Sequence, residues 1–154
     1  MELSEIIGVD AVRAPVKATS KKRLLQDLAE IAEAVYALPS ATVYKALMER
    51  EALGPTGVGR GVAIPHARFA GVARVIGLFV RLEKPVDFEA IDRQPVDLVF
   101  ALFAPEAAGA DHLKALARVS RTLRSETVCA KLRSTFDPSA LYAILTDGKA
   151  EQAA

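Results

Sequence analysis

Residues 54–68 read GPTGVGRGVAIPHAR, and the rest of the chain is organised around this stretch. Its glycines permit positive φ angles and let other groups approach the backbone closely. A short apolar run follows and ends in Pro65 and His66. Because a proline holds the residue before it in an extended conformation, the run is typical of a strand. The stretch therefore predicts an N–H-rich glycine loop and then a short strand, 62–66, that presents one histidine in a fixed direction.

Known nucleotide-binding loops do not fit this stretch. A P-loop needs a Gly-Lys-Ser/Thr sequence after four intervening residues, and residues 54–68 contain no lysine. A dinucleotide fingerprint that begins at Gly57 and Gly59 needs a third glycine at position 62, which is Val62. That fingerprint also follows a strand, whereas a helical pattern precedes Gly54. Both nucleotide motifs are therefore excluded.

Composition narrows the class of protein. The chain has 154 residues, of which 51% are hydrophobic and 25% charged, which is typical of one globular domain. The net charge of +1 and the lack of a long basic run argue against nucleic-acid binding. The single cysteine, Cys129, cannot form an intrachain disulfide and favours a reducing compartment. The acidic N-terminus is unlike a signal peptide, and the longest apolar runs are too short to span a bilayer. We expect a soluble cytoplasmic protein without membrane insertion.

Helices are predicted where apolar residues recur at helical spacing between capping residues. Ser20 and Ser40 are candidate N-caps of the first two helices, and Gly54 is a candidate end of the second. A third helix opens near Gly109 and Asp111. The apolar stripe of this third helix is predicted to comprise Leu113, Leu116, Ser120 and Leu123. The predicted helices span residues 20–38, 41–53, 109–125, 127–133 and 139–147.

Strands are predicted between these helices, at residues 11–18, 62–66, 73–82 and 96–104, with 83–96 as a loop carrying at most a small strand at 86–88. The later strands are near-continuous apolar runs, as in strands that are covered on both faces. Strands interleaved with helices predict an α/β fold, a three-layer sandwich. We expect one domain over residues 1–148 and a flexible tail over 149–154.

The sequence GPTGVGRGVAIPHAR resembles the active-site segment of enzyme IIA domains of the fructose/mannitol type in the phosphotransferase system (PTS), most closely the nitrogen-regulatory subgroup. The resemblance extends over residues 3–147. It implies a mixed, roughly five-stranded β-sheet covered by helices on both faces. It also implies that the histidine after Ile-Pro, His66, accepts a phosphoryl group from a small histidine-phosphorylated carrier protein.

The chemistry of His66 agrees with that role. A neutral imidazole is nucleophilic near neutral pH, and it can form a covalent intermediate. Arg60 and Arg68 flank His66, so an anion held there would meet positive charge. A lone histidine is more often an ordinary surface or core residue, and residue chemistry alone leaves both interpretations open. The resemblance favours the phosphoryl acceptor.

His112 and Arg50 are the predicted assistants of His66. His112 lies in the first turn of a predicted helix, where the helix dipole disfavours an imidazolium. A neutral His112 could donate a hydrogen bond to a phosphoryl oxygen, and the resemblance implies a second active-site histidine here. Arg50 can stabilise charge on the phosphoryl oxygens, because a guanidinium holds two oxygens at once. The ordinary alternatives are a helix-start surface histidine and an arginine that binds helix-end carbonyls.

The glycine loop is the last predicted part of the site. By resemblance, its phosphoryl-binding residues are Thr56, Gly57, Gly59 and Gly61. The chain departs from the usual family pattern at Pro55, Arg60 and Ala67, none of which removes a reacting group. Two histidines without nearby cysteine or carboxylate spacing do not predict a metal site, and we expect no cofactor. Cys129 is predicted to be a small packed hydrophobe.

The resemblance implies a phosphocarrier enzyme, a transferase with a phosphohistidine intermediate. Its partners would be an HPr-like carrier (NPr) and regulatory targets such as potassium-transport regulators or sensor kinases. A sugar-specific enzyme IIA that passes phosphate to a membrane-associated IIB partner is the alternative. A third possibility is a binding module without phosphotransfer, although such a module would need none of His66, His112 and Arg50. The carrier and the targets are expected to share the face around Val58, Val62 and Phe69.

Overall fold

The computed structural model describes residues 1–147. Within them the strands are β1 (Val12–Val16), β2 (Gly57–Gly59), β3 (Val62–Ala63), β4 (His66–Arg68), β5 (Ile76–Val86) and β6 (Val96–Ala104). The α-helices are α1 (Lys21–Tyr36), α2 (Ser40–Leu53), α3 (Gly109–Arg124), α4 (Glu126–Leu132) and α5 (Pro138–Thr146). None of these helices is long and apolar enough to span a bilayer. The predicted tail, 149–154, lies outside the described residues.

The strands form one mixed sheet in the order β1-β5-β6-β3-β2, and β4 also pairs with β6. Strands β5 and β6 are antiparallel, whereas β1 runs parallel to β5, and both β3 and β4 run parallel to β6. Strand β6 is buried along its whole length except at Asp97, which is partly exposed. A strand this buried is covered on both faces of the sheet. The predicted three-layer α/β sandwich is therefore confirmed.

Two groups of helices cover the sheet. Helix α1 packs on α2 and β5, and α2 also contacts β4. Helix α3 packs on β6 and α4, while α5 packs on β1 and α4. The hydroxyl of Ser20 accepts the Arg23 N–H at 3.0 Å, which confirms the predicted cap of α1. Helix α2 already begins at Ser40, so the predicted Ser40 cap is wrong, because Pro39 occupies the N-cap position.

The predicted strand 62–66 is divided by Ile64 and Pro65 into β3 and β4. Proline has no N–H to donate to a neighbouring strand, so the pairing is interrupted there. The Pro65 carbonyl still accepts the Leu102 N–H at 2.9 Å, and both halves run along β6. The chain therefore keeps its direction through the interruption and delivers His66 opposite Leu102.

Two other expectations about the elements are wrong. Residues 83–96 were expected to form a loop, but β5 continues to Val86, which pairs with Val96 of β6. The register of this pairing is irregular between Arg81 and Val86, and Pro85 lies in that irregular part. A strand can tolerate proline at such an irregularity. The predicted stripe of α3 is displaced, since Leu113 is 64% exposed and Ser120 is only partly buried. The residues that α3 buries are His112, Ala115, Val119, Thr122 and Leu123.

The topology brings both histidines to the carboxyl end of β6. His66 begins β4 and pairs with Leu102 of β6. Strand β6 ends at Ala104, and α3 begins at Gly109, so His112 lies in the first turn after a short connection. Ligands of open α/β sheets commonly bind beyond the carboxyl ends of strands. The end of β6 is thus a natural position for a site.

Candidate active site

His66 is held in one tautomer by the backbone. Its Nδ1 lies 2.8 Å from the Ile64 carbonyl oxygen. A carbonyl oxygen can only accept, so Nδ1 carries the hydrogen and donates it to Ile64. The other ring nitrogen, Nε2, accepts a hydrogen bond from Arg50 Nε at 3.2 Å. In a neutral ring this nitrogen has the free electron pair, so Nε2 is the nucleophilic atom of His66.

The surroundings of His66 keep its ring neutral. Burial lowers the pKa of His66 below its usual value of 6.5. The Ile64 hydrogen bond and Glu51 oppose this change, and the positive charges of Arg50 and Arg68 add to it. Because the net effect lowers the pKa, the imidazole is uncharged near neutral pH, as a nucleophile must be.

His112 has the opposite tautomer. Arg68 donates its Nε hydrogen to Nδ1 of His112 at 2.8 Å, so Nδ1 has a lone pair and Nε2 carries the hydrogen. The side chain is 4% exposed, and its Nε2 finds no hydrogen-bond partner among residues 1–147. Burial lowers the pKa of His112 to about 4, with further contributions from His66 and Arg68. His112 is therefore a neutral ring with an unused N–H donor.

The two rings lie in one cavity. Their centroids are 5.5 Å apart, and the rings make an edge-to-face contact at 70°. The cavity measures about 400 Å³. It is lined by Ala46, Glu49, Arg50, Leu53, His66, Ala67, Arg68, His112 and Leu116. The lining thus combines two imidazoles, two guanidinium groups and one carboxylate, that of Glu49, and its excess of positive charge suits an anion such as a phosphoryl group.

Arg50 makes both of the interactions that its sequence position predicts, one with a helix-end carbonyl and one within the site. Its Nη1 donates to the Gly54 carbonyl at 2.9 Å at the end of α2, as an ordinary helix-end arginine would. Its Nε binds His66 Nε2 at the same time. The structure therefore brings together His66, His112 and Arg50, the three reacting and assisting residues predicted from the sequence.

The glycine loop, which was expected to hold the phosphoryl group, does not line this cavity. Thr56 is buried and donates its backbone N–H to Glu51 at 3.1 Å and its hydroxyl to the same carboxylate. A Cβ on Gly57 would lie 2.7 Å from the Cβ of Ala90. Gly59 and Gly61 have φ angles of 101° and 80°; Gly59 lies against Ile91 and Asp92, and Gly61 against Asp97 and Arg133. These residues let the β2–β3 hairpin lie close to its neighbours.

Glu51 supports His66 from a distance, and sequence reasoning missed this role. The Glu51 carboxylate binds Thr56 and forms an ion pair with Lys21 at 3.0 Å. The Thr56 carbonyl accepts the Ile64 N–H at 3.0 Å, and the Ile64 carbonyl accepts the His66 Nδ1–H. Only the position of Glu51 beside Arg50 could have indicated it. Arg68 was noted as a positive charge, but its bond to His112 was not predicted.

The other sequence features lie outside the chemistry. Among the departures from the family pattern, Ala67 lines the cavity, whereas Arg60 occupies the hairpin turn and donates to the Arg124 carbonyl. Cys129 is a buried free thiol whose pKa is raised by burial, which fits a packed hydrophobe. In the part of the chain from 1 to 147, no three His, Cys, Asp or Glu residues gather as metal ligands would.

The expected docking face is correct only in part, since Val58 is 51% exposed but Val62 and Phe69 are not exposed. Val62 and Phe69 are buried, because β3 lies between β2 and β6 and because Phe69 packs on Phe103. Exposed apolar side chains lie elsewhere around the cavity. Leu53, which is 85% exposed, lines its edge, and Leu113 follows His112 directly. We call Leu53 the apolar rim of the site, together with Leu113, which is exposed next to His112 but does not itself line the cavity.

The chain is similar to known proteins both in sequence and in fold. The sequence model of a family described as "Phosphoenolpyruvate-dependent sugar phosphotransferase system, EIIA 2" matches residues 5–148. The chain is 47% identical over 145 residues to a nitrogen regulatory protein of Bradyrhizobium diazoefficiens, covering 94% of this chain and 95% of the relative. The crystal structure of nitrogen regulatory protein IIA-Ntr from Neisseria meningitidis superposes with a TM-score of 0.88 at 37% identity, covering 94% and 99% of the two chains. The chain is also 31% identical over 146 residues, or 94% of its length, to the fructose-specific EIIABC component of Bacillus subtilis, of which it spans 23%.

Proposed function

Since the chain belongs to the EIIA 2 family of the phosphoenolpyruvate-dependent sugar phosphotransferase system, we propose that it accepts a phosphoryl group on Nε2 of His66. The donor is a histidine-phosphorylated carrier of the HPr type (NPr), and the phosphorylation state of His66 regulates target proteins. The supporting observation is the pair of neutral rings in one cavity. His66 offers a lone pair, and His112 offers a buried N–H without a partner among the described residues.

In the proposed transfer, Nε2 of His66 attacks the phosphorus in line with the bond to the carrier's imidazole. A bond forms between Nε2 and phosphorus, the carrier's N–P bond breaks, and its electron pair remains on the carrier's nitrogen. The His66 ring gains positive charge as the bond forms. The Ile64 carbonyl already holds the Nδ1 proton at 2.8 Å, and it stabilises that charge without rearrangement.

Arg50 has to change partners during this step. Its Nε hydrogen points at the lone pair that attacks, so it must leave Nε2 before the phosphorus approaches. The second bond, from Nη1 to the Gly54 carbonyl, keeps the guanidinium beside the ring. A small rotation then directs Arg50 to the equatorial phosphoryl oxygens, where charge is spread in the transition state.

His112 supplies the donor that completes the site. Its Nε2–H is desolvated and has no competing partner in the part of the chain that the structure describes. A preorganised donor of this kind needs no reorganisation when a phosphoryl oxygen arrives. We assign His112 an assisting role, with the covalent bond on His66.

The regulatory role is proposed because relatives named nitrogen regulatory protein align with over nine tenths of this chain. Phosphorylation adds about −1.5 to −2 charges if His66 behaves like other phosphorylated side chains. That charge would sit beside the apolar rim of Leu53 and Leu113, where a docked partner would sense it. Targets such as potassium-transport regulators or sensor kinases would then distinguish the two states. The proposed location is the cytoplasm, which fits the free thiol of Cys129.

The proposal is tested by incubation with the phosphorylated carrier. We expect acid-labile, base-stable label on His66 and none in His66→Ala. In His112→Ala the label should stay on His66, but its rate of appearance should fall about 10²–10³-fold, by analogy with an oxyanion-hole donor. Lys114→Ala is the matched control, because Lys114 is exposed on the same helical turn. Label that survives in His66→Ala would refute the assignment, and peptide mapping to His112 would reverse the two roles.

A second candidate function has the same phosphorylation of His66 but a different recipient of the phosphoryl group. The likeness to the fructose-specific component of Bacillus subtilis supports a sugar-transport enzyme IIA that passes phosphate to a IIB partner. Rapid transfer from the labelled protein to a fructose- or mannitol-specific IIB domain, followed by sugar phosphorylation, would establish this alternative. Slow or absent transfer with intact binding to regulatory targets is the outcome expected for the regulatory function.

A further inference from the structure

We propose that Arg68 is a positioning residue that acts on phosphoryl transfer through His112. Its donation to Nδ1 holds the His112 ring in the Nε2–H form and in one orientation, so that the free N–H points to the phosphoryl group. The role in transfer rests on the proposed function. The effect of Arg68 on the His112 ring is a property of the unphosphorylated protein and can be measured alone.

The hydrogen bond from Arg68 to His112 permits only one position for the hydrogen on the neutral His112 ring. A guanidinium has only donors and stays protonated at any ordinary pH. Arg68 Nε lies 2.8 Å from His112 Nδ1, so a hydrogen on that nitrogen would face another hydrogen. The ring must keep its lone pair at Nδ1. Its hydrogen therefore lies on Nε2, the buried atom for which residues 1–147 supply no acceptor.

The position of Arg68 on β4 explains how it reaches His112. Side chains at alternate positions of a strand leave on the same face, so Arg68 and His66 point the same way. Both side chains line the cavity, together with the small, buried Ala67 between them. Arg68 pairs with Ala104, the last residue of β6, after which the chain turns into α3. The same strand therefore presents the nucleophile and the group that orients its assistant.

A direct electrostatic role is the competing explanation. Arg68 lies in the cavity, and its charge alone could attract the phosphoryl group without any need for His112. The two explanations differ in what happens when His112 is absent. If Arg68 acts through His112, its removal has no further effect in a His112→Ala protein; if its charge acts directly, the loss is the same in both proteins.

The first experiment is a double-mutant cycle on the rate of phosphoryl transfer from the carrier. We expect Arg68→Leu to slow transfer at least tenfold in the otherwise natural protein and less than twofold in the His112→Ala background. Arg68→Gln, which keeps an N–H donor without the charge, should recover part of the rate. Arg121→Leu is the control, because it removes the same kind of charge at an exposed position of α3, nine residues after His112. Equal losses from Arg68→Leu in both backgrounds would overturn the proposal.

The second experiment needs no phosphoryl transfer. Nitrogen-15 spectra of the natural protein should show His112 with a hydrogen-bonded, unprotonated Nδ1 and a protonated Nε2. In Arg68→Leu, the Nδ1 signal should move to the value of a free lone pair, and the midpoint of His112 titration should rise. The well-dispersed amide spectrum of each variant reports its fold. Unchanged His112 nitrogen signals in Arg68→Leu would overturn the inference even if His66 proves to be the phosphoryl acceptor.

Discussion

His66 and His112 carry their protons on different nitrogens, and their immediate neighbours cause the difference. An acceptor, the Ile64 carbonyl, faces Nδ1 of His66, whereas a donor, Arg68 Nε, faces Nδ1 of His112. Both rings are neutral because burial disfavours the charged form. The same side chain thus provides a nucleophile at one position and a hydrogen-bond donor at the other.

The low pKa of His112 predicts how stability depends on pH. The folded state keeps His112 neutral down to a pKa of about 4, whereas the unfolded chain protonates near 6.5. Between these values the unfolded state binds more protons, so the stability that is present above pH 6.5 is lost as pH falls toward 4. Each unit of pKa difference is worth about 1.4 kcal/mol. Urea unfolding from pH 7 to pH 4 should therefore show a steeper decline for the natural protein than for His112→Gln, and parallel curves would contradict this explanation.

At the scale of elements, the glycines belong to the packing of the β2–β3 hairpin. Gly57 faces Ala90, and Gly61 lies against Arg133, which also binds Asp97 at 2.8 Å. The hairpin in turn supports β4, since the Ile64 N–H that follows β3 donates to the Thr56 carbonyl just before β2. The glycines therefore affect His66 through the position of the backbone that holds its ring.

This role predicts different outcomes for two Gly-to-Ala substitutions. In Gly57→Ala the new Cβ would lie 2.7 Å from the Cβ and 2.9 Å from the Cα of Ala90, so the backbone of one segment must move. We expect a loss of about 1–3 kcal/mol in the free energy of unfolding, as for other overpacked positions. In the control, Gly109→Ala, nothing lies within 4 Å, and stability should be unchanged or slightly higher. Urea unfolding of both variants checks this, and equal stabilities would show that the hairpin has room for a side chain.

At the scale of the whole molecule, the cavity lies at the carboxyl end of β6, with exposed leucines from two different helices beside it. Leu53 ends α2, and Leu113 follows the first turn of α3. The proposed in-line transfer would bring two imidazoles to opposite sides of one phosphorus, so that the carrier would cover this rim. Regulatory targets that sense the charge on a phosphorylated His66 would have to cover it too. We therefore expect carrier and targets to compete, with a transient carrier interface of under about 1,200 Å².

The prediction for this surface concerns Leu53→Ser. Burying a leucine side chain is worth about 1.5–3 kcal/mol, so the variant should weaken carrier binding at least about tenfold. Ile91→Ser is the matched control, because Ile91 is 81% exposed but does not line the cavity. Amide shift changes in a carrier titration should include Leu53, His66 and Leu113. Changes confined to residues 137–144, with equal affinities for the two variants, would place the interface elsewhere.

The sequence alone determined the features that depend on near neighbours. Capping and apolar spacing located the five helices within residues 1–147, and the apolar run at 96–104 matched β6 along its whole length. The resemblance to enzyme IIA domains singled out His66, and Pro65 predicted the extended segment that presents it. Such signals work because helix ends, strand faces and proline effects are decided within a few residues.

Only the tertiary structure decided which groups meet. Arg68 and His112 are 44 positions apart, and Arg50 and His66 are 16 apart, so no local pattern records either hydrogen bond. The same is true of Leu113, whose helical spacing allows it to face the core or the solvent. Packing of α3 on β6 buries His112 and leaves Leu113 outside, because only one side of a helix can face the sheet. The tautomers of the two histidines, the lining of the cavity and its apolar rim therefore depend on which segments of the chain meet at the end of β6.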